Sequence, residues 1–95
     1  VAPAITDYFM QAEENAQLRL KDIERLFVRD GVSVNTKVIR GVAASEGIMA
    51  IANEVSADLI IMGSHGHTGF KKMVLGSVAQ NVLTQSHIPV LIVKV

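Results

Sequence analysis

The stretch Ala57-Asp58-Leu59-Ile60-Ile61-Met62-Gly63-Ser64-His65-Gly66-His67-Thr68-Gly69 decides the fold. Leu59–Met62 is a continuous apolar run that stops at glycine. Such a run suits a strand buried on both faces, as parallel strands are. A glycine-rich segment follows it. Four glycines, Gly63, Gly66, Gly69 and Gly76, fall within fourteen residues. Ser77–Gln85 then reads as a helix with Val78, Val82 and Leu83 turned inward, and Pro89 opens a last strand, Val90–Val95.

Working back toward residue 1, residues 43–56 carry Ile48, Met49, Ile51, Ala52 and Val55 at helical spacing. Gly47 weakens that helix by up to about 1 kcal/mol relative to Ala. Val32–Arg40 alternates Val32, Val34, Thr36 and Val38 with polar residues, the pattern of a strand with one solvated face, at an edge of the sheet. About Ile5–Asp30, apolar residues recur every three or four positions: Ile5, Tyr8, Phe9, Ala12, Ala16, Leu20, Ile23 and Phe27. This is a long helix with one apolar stripe, expected to pack on a sheet. Gly31 is its stop, able to take a left-handed conformation. The order α-β-α-β-loop-α-β predicts an α/β fold, a three-layer open parallel sheet with helices on both faces.

Composition bounds the function. Ninety-five residues make one domain, and 49% apolar with 19% charged residues excludes a disordered polymer. No apolar run approaches the length that spans a bilayer, and the start Val1-Ala2-Pro3 lacks the features of a signal peptide. Cysteine is absent, which fits the cytoplasm and excludes a disulfide framework. Aromatics are 4% and Trp is missing, so neither nucleic acid nor membrane is the expected partner. A first residue other than Met reads as a fragment of a longer chain.

Charge is zero overall but uneven. Residues 1–58 carry six Lys/Arg and all nine Asp/Glu; residues 59–95 carry Lys71, Lys72 and Lys94 and no carboxylate. The second half suits an anion, although a buried α/β core is also simply poor in charge. With no acid there, no Ser/His/Asp triad or carboxylate pair can be placed, and no good catalytic base appears.

The glycine-rich segment carries the chemistry. In open α/β sheets, ligands bind beyond the carboxyl ends of strands. Gly76-Ser77 sits where a helix starts, and free first-turn N–H groups favour phosphate. The Ser77 hydroxyl is placed to cap the helix, touch a phosphate oxygen or ligate a phosphate-bound Mg²⁺; these roles compete. The G-x-x-x-x-G-K-[ST] and G-x-G-x-x-G motifs are both absent. Glycine content alone is equally consistent with an ordinary βα turn. His65 and His67 make a weak metal pair, and His87 reads as surface. Lys71 and Lys72 are long-range phosphate attractors or a solvated face. Phe70, Met73 and Leu75 pack the loop, and Met49 and Met62 are core.

The pattern Gly63-x2-Gly66-x9-Gly76-Ser77 resembles the nucleotide-binding signature of the universal stress protein family. The flanks agree: Ala57–Gly63 leads in, Leu75-Gly76-Ser77-Val78-Ala79 starts the helix, and Pro89–Val93 closes the domain. The resemblance covers most of residues 32–95 and, more loosely, the first helix. It implies a Rossmann-like, adenine-nucleotide-binding sheet of strand order 3-2-1-4-5. It also implies ATP, with Mg²⁺ or Mn²⁺, held by Gly63 near the ribose and by Gly66, Gly76, Ser77 and Val78 at the phosphates. His65 belongs to the loop, and Ser77 is the candidate metal contact. Residues 1–95 are then a single domain lacking the family's opening strand-helix-strand. The absent first strand normally ends in an Asp that touches the nucleotide, and the second helps form the adenine pocket. The implied function is an ATP-binding regulatory module of the stress response, cytoplasmic and not a dedicated enzyme. The alternatives are a nucleotide-free interaction module and a slow ATP hydrolase. In that strand order Val90–Val95 is an apolar edge, and a homodimer paired through it is expected.

Overall fold

In a computed structural model the structure describes residues 2–64 and 75–94, with side chains from residue 5 onward. The chain forms two compact units, residues 1–39 and 40–95.

In the first unit, α1 spans Ala2–Arg29. It begins earlier than the apolar stripe does, because proline is tolerated in a first helical turn and Pro3 sits there. Its end is fixed by backbone. The Gly31 N–H donates to the Val28 carbonyl at 3.0 Å and the Val32 N–H to the Phe27 carbonyl at 2.9 Å. Gly31 has φ +81°, the left-handed conformation that this paired closure requires. Arg25 reaches Asp22 at 3.2 Å, but both side chains are exposed, so the pair contributes little. The stripe is not buried as its period predicts. Ala16 and Leu20 are half-buried, but Ile23 and Phe27 are each 45% exposed and Tyr8 is 69% exposed.

Val32–Arg40 is not a strand. Alternation selects an extended backbone, but a strand also needs a neighbour to complete its ladder. Among the described residues none lies beside it. The segment instead runs along α1, where Gln17, Leu20, Thr36 and Val38 line a cavity of about 180 Å³. Val34 and Val38 are half-buried while Val32 and Thr36 are exposed.

The second unit follows the expected order: α2 (Ala44–Glu54), β1 (Ile60–Gly63), α3 (Ser77–Gln85) and β2 (Val90–Val93). β1 and β2 pair in parallel, with Ile60 opposite Val90 and Gly63 opposite Val93. Bonds at both ends frame the ladder: Ile60 N–H to the Pro89 carbonyl and Ser64 N–H to the Val93 carbonyl, each 2.9 Å. Ala52, Ile60 and Val82 form the core, with Met49, Met62, Val78 and Val90 packed against it. The two methionines are core residues, and His87 is exposed, as their settings in the sequence predict.

Two expectations are corrected. β1 is buried on one face rather than both. Ile60 is 7% exposed, yet Ile61 on the opposite face is 63% exposed, and Leu91 and Val93 are exposed too. α2 and α3 share a core with the Ile60 face, so only that face is covered within this unit. On α3, Ala79 and Val82 turn inward and Leu83 does not.

α2 ends in the same closure as α1, but without glycine. The Ser56 N–H donates to the Asn53 carbonyl at 3.2 Å and the Ala57 N–H to the Ala52 carbonyl at 2.9 Å. Ser56 therefore sits at φ +53°. A side chain there costs about 1–2 kcal/mol, while glycine adds about 0.4–1 kcal/mol of unfolded-state entropy. Ser56→Gly should raise stability by about 0.5–1 kcal/mol in denaturant titration; a loss would show that the Ser56 side chain itself stabilises the turn.

Candidate functional site

β1 ends at Gly63, and the next residue turns the chain out of the sheet. Ser64 is fully buried at 0% exposure. Its N–H extends the ladder to Val93, and its carbonyl accepts the Gly76 N–H at 2.7 Å. The exit from β1 and the entrance to α3 are thereby joined at one point.

Gly76 is the N-cap of α3, with φ −68° and ψ 166°. Those angles are open to any residue, so backbone conformation does not demand glycine there. The glycine gives room instead. No side chain caps the helix; the Gln80 side chain takes the Leu75 carbonyl at 3.0 Å, outside the first turn. The first-turn N–H groups, Ser77 and Val78 among them, are left facing outward at the positive end of the helix.

Here a cavity of about 270 Å³ opens, lined by Ala44, Met62, Gly63, Ser64, Gly76, Val78 and Ala79. It lies beyond the carboxyl end of β1, where open α/β sheets bind their ligands. Three of the residues singled out from the sequence, Gly63, Gly76 and Val78, meet in it. Ser77 does not line it; it is exposed beside it. Among the described residues the Ser77 hydroxyl makes no hydrogen bond, so the cap role is not the one it takes. His65 and Gly66, with His67, Lys71 and Lys72, lie outside the described residues.

Sequence reasoning missed Ser64, Ala79 and Ala44. Ser64 was legible as the residue between a strand-ending glycine and the next glycine. Ala79 follows from the period of α3. Ala44 carried no signal, since nothing local says that α2 begins beside this loop.

The donor set fits a phosphate. Glycines stand at two lining positions, and an uncapped helix start borders the same space. Among the described residues no cluster of three or more His, Asp or Glu is arranged to hold a metal. No helix among them is long and apolar enough to cross a membrane.

A family model described as "Universal stress protein family" matches residues 2–94. Universal stress protein MJ0531 of Methanocaldococcus jannaschii is 42% identical over 82 residues, covering 86% of this chain and 48% of that protein. Universal stress protein MJ0577 of the same organism is 40% identical over 81 residues, covering 85% of this chain and 49% of its own length. The solved structure of MJ0577 superposes with a TM-score of 0.88 at 36% identity, covering 95% of this chain and 62% of that one. The chain thus spans about half the length of these two relatives. The likeness agrees with an α/β, Rossmann-like fold built on parallel strands.

The Ser64–Gly76 bond can be tested apart from any ligand. Proline suits φ −68° and deletes only the N–H. Gly76→Pro should cost about 1–3 kcal/mol in denaturant titration, whereas Gly76→Ala should cost under about 1 kcal/mol. Equal losses would mean that the bond contributes nothing.

Proposed function

The chain belongs to the universal stress protein family, and from that premise we propose that it is an ATP-binding regulatory module of the stress response, acting in the cytoplasm. The observation that carries this reading is the meeting of Gly63, Gly76 and Val78 in one cavity at the start of an uncapped helix. In this reading Gly63 lies near the ribose. The N–H groups of Ser77 and Val78 donate to phosphate oxygens, Gly76 lets the backbone approach them closely while its own N–H holds Ser64, and His65 and Gly66 complete the loop. The Ser77 hydroxyl, exposed and not spent on a cap, is placed for a phosphate oxygen or for the Mg²⁺ or Mn²⁺ that accompanies ATP. Binding is by backbone donors and helix field rather than by a lining ion pair, since no charged side chain is among the described residues of the cavity wall. The module senses nucleotide; turnover is not its task.

Calorimetry of the full-length protein with Mg-ATP tests the site; residues 1–95 alone are expected to bind weakly. Gly76→Val keeps allowed backbone angles but fills the phosphate space, and it should abolish measurable binding while the chain stays folded. Unchanged affinity would overturn the assignment.

The same proposal includes a homodimer paired through the Val90–Val95 segment. In its support, β2 is the outer strand of the β1-β2 pair, with no further strand beside it among the described residues, and an apolar edge strand invites pairing with another chain. Twofold pairing closes at two copies. Light scattering at micromolar concentration should give twice the chain mass, and a monomer would contradict it. Dimers that do not bind ATP would favour the second reading, a nucleotide-free interaction module.

A further inference from the structure

Among the described residues, six of the seven that line the cavity come from the strand-loop-helix signature region: Met62, Gly63, Ser64, Gly76, Val78 and Ala79. The seventh, Ala44, comes from α2, eighteen residues before Met62. Its position is set by its neighbours. Ser45 is 7% exposed and Gly47 is also buried, so the first turn of α2 is seated on that side. Ala44 itself is exposed at the cavity mouth.

We infer that Ala44 is a specificity-determining wall of this site, whose single methyl group leaves the room that the phosphate end of a nucleoside triphosphate needs. The inference rests on the nucleotide reading above and deepens it. The space is small, about 270 Å³. A longer side chain at position 44 grows into it from the start of α2, with no change to any signature residue. Because Ala44 is exposed and opens the helix, a larger helix-forming residue there does not crowd the core.

The test compares Mg-ATP affinity of the full-length wild-type protein with that of Ala44→Leu, Ala44→Met and Ala44→Ser by calorimetry. Ala50→Leu serves as control: Ala50 is exposed on the same helix and does not line the cavity. Ala44→Leu and Ala44→Met should weaken ATP by about tenfold or more. Ala44→Ser and Ala50→Leu should bind as wild type does, and melting temperatures should agree within about 2 °C. If both large variants bind within twofold of wild type, the inference is overturned while the nucleotide reading stands. If Ala50→Leu weakens ATP equally, the effect is not the wall's and the inference also falls. A full-length wild-type protein that does not bind ATP overturns the nucleotide reading itself, and the inference with it.

Discussion

One hydrogen bond organises the second unit of this protein. The Gly76 N–H reaches the Ser64 carbonyl at 2.7 Å, tying the exit of β1 to the entrance of α3. Ser64 can serve because its own N–H is already anchored to Val93 in the neighbouring strand. The junction is therefore held by the sheet as well as by the loop. A fully buried serine fits the setting, since buried backbone polar groups must be paired and here both the N–H and the carbonyl of Ser64 are.

From that junction the geometry of the cavity follows. Parallel pairing sets Gly63 opposite Val93, so the strand ends where α3 begins. Val82 and Ala79 lock α3 to the core, and Ala52 does the same for α2. The first residues of both helices then border one space, with the apolar packing beneath it and the backbone donors facing it. Apolar burial positions the polar groups; each side chain such as Val82, at 0% exposure, contributes about 1.5–3 kcal/mol to holding them there.

The second unit was largely legible in the sequence, for a physical reason. Its helices and strands are defined by short-range patterns: the apolar run before Gly63, Pro89 ahead of a β-branched run, and the 3.6 period of α3, whose bounds Ser77–Gln85 agree with the structure. Gly31 was legible as well, since a glycine after an apolar stripe announces a left-handed closure. Ser56 adopts the same conformation without that announcement, because backbone hydrogen bonds can impose it on another residue. The failures share a cause. Val32–Arg40 has strand alternation but no partner strand among the described residues, and local pattern cannot supply one. The stripe of α1 and the outer face of Ile61, Leu91 and Val93 have the right periods, yet burial depends on what lies across from them. Ala44 was invisible for the same reason: a cavity wall is a tertiary fact. The family signature conveyed the Gly63, Gly76 and Val78 grouping before any coordinates did, whereas Ser77 proved to stand beside the cavity.

The central claim is that the backbone N–H groups at the start of α3 receive the phosphates of ATP. Nitrogen-15 amide spectra recorded through a titration with Mg-ATP report on those groups one by one. The account predicts that the Gly63, Gly76, Ser77 and Val78 amides shift together and saturate with one affinity, while amides in the last turn of α3 stay still. Saturable shifts that avoid Gly76, Ser77 and Val78, or no shifts at millimolar ATP, would contradict it.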